Sequence, residues 1–104
     1  MRFILLSRHT NGAGIPEKER DQNLKDMGAW LALLGAELAM PTRGGKSITA
    51  AEVNDYQGDL GGVIVFSAEN LEQAISLARQ SPGLKYGFTH EVFPEIALSE
   101  AAKT

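Results

Sequence analysis

Leu60-Gly61-Gly62-Val63-Ile64-Val65-Phe66-Ser67-Ala68-Glu69-Asn70-Leu71-Glu72-Gln73-Ala74 decides the fold. Val63 to Phe66 is a short apolar run rich in β-branched residues and without alternation, which marks a central strand buried on both faces. Asn70 can cap a helix, and Gln73 three residues on completes a capping-box arrangement. Leu71, Ala74, Ile75 and Ala78 then form one apolar stripe, and Ser81-Pro82-Gly83 ends the helix. A strand that runs straight into an amphipathic helix is half of a βαβ unit.

Towards the N-terminus the same pattern recurs with different residues. Phe3-Ile4-Leu5-Leu6 predicts a strand over Arg2 to Arg8, bounded by Asn11-Gly12-Ala13-Gly14. Pro16 suits a first helical turn, and Glu17 and Glu19 place negative charge where the helix dipole favours it. The spacing of Leu24, Met27, Leu31 and Leu34, widened by Trp30 and Leu33, predicts a helix over 16–34 with one face on a sheet, ended by Gly35. Residues 37–40 read as a short strand stopped by Pro41. Residues 42–60 are polar and Gly-rich and read as a long loop or ragged hairpin, with 47–49 or 51–53 as strand fragments. The last strand is expected over 86–93, closed by Pro94, and 95–104 as a short, frayed helix.

This order predicts an α+β domain of ferredoxin-like βαββαβ build, with an antiparallel sheet and two helices on one face. The other face carries too much Phe, Val and Tyr to be left in water, so self-association is expected to cover it. A chain of 104 residues suits one domain, 1–104. The absence of cysteine excludes disulfides, thiolate metal sites and cysteine nucleophiles, and fits a cytoplasmic location. No secretory leader or membrane-spanning run is evident. A net charge of -3 without a basic stripe makes nucleic acid an unfavoured partner. With only His9 and His90 as imidazoles, no metal is expected, and no cofactor motif stands out.

The run from Leu60 to Ala74, with Pro82 and Glu91-Val92-Phe93-Pro94, resembles the YCII-related family, particularly its DGPF-type branch. The resemblance implies a ferredoxin-like fold paired through its sheets as a dimeric α+β barrel, hence a homodimer. Two departures stand against it. The DGPF sequence is absent, and Asp55-Tyr56-Gln57-Gly58-Asp59 stands in the corresponding loop. The family's proposed His-Asp pair, associated with the first helix, does not transfer, because 16–34 contains no His.

In the expected topology the ends of the first two strands meet the starts of the last two, gathering Arg8, His9, Arg43, Gly61 and Tyr86 at one end of the sheet. Tyr56 enters from that end. Guanidinium forks, an imidazole and phenols there suit a small anionic metabolite in a cleft between sheet and dimer partner. Arg8, Arg43, Tyr56 and Tyr86 are the candidate substrate-binding residues, and His9 and Glu91 the candidate proton carriers. The alternatives are that the arginines are solvated strand-end charges, that Glu91 forms an ion pair and that His90 is a satisfied core histidine. The function expected is that of a small-molecule enzyme or, equally, a non-catalytic ligand-sensing or regulatory module.

Overall fold

The computed structural model describes residues 1–103. Six strands and three α-helices follow in the order β1 (Arg2–Arg8), α1 (Arg20–Leu34), β2 (Leu38–Pro41), β3 (Lys46–Ile48), β4 (Val53–Asp55), β5 (Leu60–Ser67), α2 (Leu71–Ala78), β6 (Thr89–Pro94) and α3 (Leu98–Ala101). Four strands form one sheet in the order β2-β5-β1-β6, every neighbour antiparallel, which is the split βαβ arrangement. The sheet and one layer of helices make a slab of 45 × 37 × 19 Å.

Register assigns the faces. Leu5 lies opposite Ile64 on β5 and Val92 on β6, and Phe3 lies opposite Phe66, so this set shares the face beneath the helices. Phe3, Leu5, Ile64 and Phe66 pack with Trp30 and Leu34 of α1 and Ala74 and Ala78 of α2 as the buried core. The alternate set, Ile4, Leu6, Val63, Val65, Leu38 and Phe93, faces away from both helices. Phe93 and Leu38 are exposed there, and the four central residues are half-buried only by their neighbours.

The capping of α2 is built as the sequence implies: the Gln73 amide donates to Asn70 Oδ1 at 2.8 Å. Gln73 Oε1 accepts from the Glu69 amide, one residue before the usual capping-box partner, at 2.6 Å. Gly35 ends α1 with a left-handed φ of 62°.

Three expectations need correction, and one open alternative is resolved. Pro16 has extended ψ, and residues 17–19 form a 3-10 turn, so α1 starts at Arg20 rather than Pro16. The sheet-facing stripe is Asn23, Met27, Trp30, Leu31 and Leu34; Leu24 and Leu33 are 73% and 56% exposed. Met27, Trp30, Leu31 and Leu34 take the inward places that the spacing predicts, whereas Leu24 and Leu33 fall outside the stripe and Asn23 stands inward one residue before Leu24. The last strand begins at Thr89, since 84–86 form a 3-10 turn and Gly87, at φ 94°, reverses the chain. For 42–60 the hairpin reading holds over the loop: β3 pairs with β4, Lys46 opposite Asp55 and Ile48 opposite Val53.

Candidate functional site

The sheet end predicted to gather functional side chains holds two separate arrangements, one on each face. On the open face, Arg8 extends from the end of β1 between two carboxylates. Its Nε donates to Glu91 Oε1 at 2.5 Å and its Nη1 to Asp59 Oδ1 at 3.0 Å. The hydrogen bonds it donates to Glu91, Asp59 and Tyr56 raise the guanidinium pKa above its ordinary value. The Tyr56 hydroxyl also accepts from the Leu60 amide at 3.1 Å, fixing the loop that enters β5. Arg8, Glu91, Asp59 and Tyr56 are therefore one cluster.

The remaining sequence candidates lie elsewhere. His9 Nε2 bonds to the Ala13 carbonyl at 2.8 Å, and its ring lies 4.9 Å from that of Phe88. Tyr86 donates to Glu19 Oε1 at 3.2 Å, tying residues 84–86 to the start of α1. Arg43 is exposed in the loop after β2 and, among the described residues, makes no ion pair or side-chain hydrogen bond.

On the opposite face a cleft of about 360 Å³ opens between α1 and the edge strand β2. Leu24, Met27, Gly28 and Leu31 line it from the helix, and Ala39, Met40 and Pro41 from the strand. Gly61, Gly62, Ile64 and Ser7 form its floor, and Trp30 and His90 its inner wall. The volume is at the small end of the range of roughly 300–1,000 Å³ seen for ligand pockets. Its lining contains no Asp, Glu, Lys or Arg. Ser7 Oγ has no hydrogen-bond partner among the described residues, which leaves one free hydroxyl in an otherwise apolar lining.

His90 is the one titratable side chain in that wall, and its geometry fixes its state. Its ring stacks on Trp30 at 5.7 Å with an interplanar angle of 9°, while the Trp30 Nε1 donates to the Leu77 carbonyl. Nδ1 lies 3.0 Å from the Thr89 carbonyl, which can only accept, so Nδ1 carries the proton. Nε2, 2.7 Å from Ser81 Oγ, then accepts from the serine hydroxyl. Burial lowers the imidazole pKa below its ordinary 6.5, only partly opposed by the Thr89 carbonyl. His90 is thus a neutral, satisfied ring whose flat face and edge shape the pocket. It also walls a second groove of about 330 Å³ between α2 and β6.

The family model of the YCII-related domain matches residues 1–94. The chain belongs to the YCII-related family. No curated protein matches it. A solved structure of 5-chloro-2-hydroxyhydroquinone dehydrochlorinase (TftG) from Burkholderia phenoliruptrix AC1100, in complex with 2,5-dihydroxybenzoquinone, is similar in fold. Its TM-score is 0.59 and its identity 20%, over 96% of this chain and 98% of that chain.

In this YCII-related chain, sequence reasoning missed the lining of the cleft, because most of it is core-type residues that carry no chemical signature. Two signals were available. Gly28 interrupts a helix interior, where glycine is disfavoured, and Asn23 stands in the sheet-facing phase of α1. The Asn23 Oδ1 is buried without a hydrogen-bond partner among the described residues.

Proposed function

We propose that this YCII-related chain binds a small, flat, hydroxylated ring in the cleft beneath α1, and that it holds this ligand rather than transforming it. The observation that carries the reading is the cleft itself: about 360 Å³ of apolar lining with one free hydroxyl, Ser7, and no unengaged acid or base. A neutral or weakly acidic ring needs apolar walls for its faces and one polar contact for orientation, and Ser7 supplies that contact. The bound 2,5-dihydroxybenzoquinone of the TftG structure belongs to this chemical class. Both nitrogens of His90 are occupied, which favours binding over proton transfer.

The protein is proposed to act as a homodimer through its open sheet face. Ile4, Leu6, Val63, Val65, Leu38 and Phe93 make a continuous apolar surface with no helix against it. A second reading places an enzyme site at the Arg8 cluster, where pairing would enclose it, with Arg8 orienting a small anion and Glu91 or His9 moving a proton. Tyr56 would complete the mouth. What favours this reading is the convergence of Arg8, Glu91, Asp59 and Tyr56 at one point of the face. Against it, Asp59 and Glu91 already balance the guanidinium, so an anion would have to displace one of them.

Thermal denaturation in the presence of 2,5-dihydroxybenzoquinone separates the two. Ligand at a hundredfold excess over Kd adds about 2.7 kcal/mol, which for a chain of this size raises Tm by roughly 10–20 °C at about 4–8 °C per kcal/mol. The cleft reading expects a rise that is diminished by Ser7→Ala and untouched by Arg8→Met, with no change in the ligand's absorbance on prolonged incubation. A rise abolished by Arg8→Met, or conversion of the ligand, would overturn it in favour of the second reading.

A further inference from the structure

We infer that Gly28 is the specificity-determining residue of the cleft, a gap in the wall of α1 that sets how thick a ligand the mouth admits; this rests on the cleft being the ligand site. Three observations converge on it. Gly28 lies inside the 15-residue helix α1, eight residues from its start at Arg20 and six from its end at Leu34, where no cap or turn requires glycine. It does not have a positive φ, so its backbone is one that any residue adopts. A Cβ built on it meets nothing within 4 Å, so neither packing nor a close backbone approach excludes a side chain.

Glycine in a helix interior is the least favourable choice after proline, and here no structural return offsets that cost. What Gly28 does instead is line the cleft. Leu24 and Leu31, one turn to either side, flank the mouth with long side chains, whereas at Gly28 the helix presents bare backbone. The facing strand contributes Ala39, also small, to the same cleft. Gly28 and Ala39 thus leave open space between helix and strand that a side chain at either position would occupy, and the ligand class that this space suits is a planar ring lying edge-on against the α1 backbone. A methyl group at position 28 would project into the space that the ring edge needs.

The test compares the wild type with Gly28→Ala and Gly28→Leu, using phenol and 2-naphthol as probes. Binding is read from the amide resonances of Gly61 and Gly62 on the cleft floor, and folding from thermal denaturation. We expect both probes to shift these resonances in the wild type. Gly28→Ala should raise Tm by several degrees, as helix propensity dictates, while weakening 2-naphthol about tenfold, the order of discrimination that one methyl group provides in an apolar pocket. Gly28→Leu should fold and bind neither probe. Undiminished binding of 2-naphthol by Gly28→Leu would overturn the gate alone and leave the cleft as ligand site. A lowered Tm in Gly28→Ala would overturn it by showing that the glycine is structural. Absence of any wild-type shift at Gly61 and Gly62 would overturn the cleft reading and the gate together.

Discussion

Asn23 and His90 show two opposite ways of placing a polar group beneath a helix layer. Asn23 Oδ1 is buried with no partner among the described residues, and an unsatisfied buried polar group costs roughly 1–3 kcal/mol. Asn23→Leu, close in size and apolar, is expected to stabilise the protein by about 1–2 kcal/mol, measured by urea denaturation. An unchanged or lower midpoint would show that the amide has a partner when folded. His90, by contrast, is fully bonded, and burial lowers its pKa. The folded state then binds fewer protons than the unfolded state between the depressed value and the ordinary 6.5. The contribution of His90 is thus fully present above about pH 6.5 and is lost as the pH falls below it. Tm measured between pH 5 and 8 should fall more steeply on the acid side for the wild type than for His90→Gln. Parallel profiles would contradict a neutral buried imidazole.

At the scale of elements, the two α-helices differ in how they are held. The cap of α2 is a side-chain bond from Asn70 to the Gln73 amide, and Asn70→Ala should cost about 1 kcal/mol, seen as a lower Tm. The hairpin β3–β4 is held by little else than its own ladder, the Thr49 turn and the Lys46–Asp55 ion pair. Ile48 and Val53 pair across it while 74% and 61% exposed. A lone two-stranded hairpin is marginal in water. Amides at 47–54 should exchange with deuterium orders of magnitude faster than those of Leu5 and Ile64, and equal protection would mean that another surface covers the hairpin. The strands β1 and β5 and helix α2 were legible because unbroken apolar runs and a cap signal are local. The hairpin was not fully legible because its pairing rests on short polar strands. The phase of α1 was legible at Met27, Trp30, Leu31 and Leu34, but Leu24 and Leu33 read as core because an exposed leucine looks like a core residue in one dimension. The residue scale shows the same division. Arg8 and Glu91 were legible singly as polar strand residues, whereas the register that pairs them diagonally, and the separation of Tyr86 and Arg43 from them, depend on tertiary bonds that no spacing encodes.

At the scale of the whole molecule, a radius of gyration of 15.4 Å exceeds the roughly 13 Å of a compact chain this long, as a two-layer slab with one face uncovered would have. The proposed pairing through the open face predicts a dimer by sedimentation. It also predicts that Leu6→Lys, which places an ammonium opposite Val63 and beside Glu91, shifts the population to monomer without loss of helical signal. A wild type that sediments as a monomer at all concentrations would contradict it. Family membership and fold similarity supply the shape of this molecule, and its activity must be read from the cleft.

The central claim, that the cleft beneath α1 holds a flat hydroxylated ring, is tested most directly by titrating the labelled protein with 2,5-dihydroxybenzoquinone and mapping the amides that shift. Saturable shifts are expected at Leu31, Gly61 and Gly62, with Asp59 and Glu91 unmoved. Shifts confined to Arg8, Asp59 and Glu91, or none at saturating ligand, would contradict it.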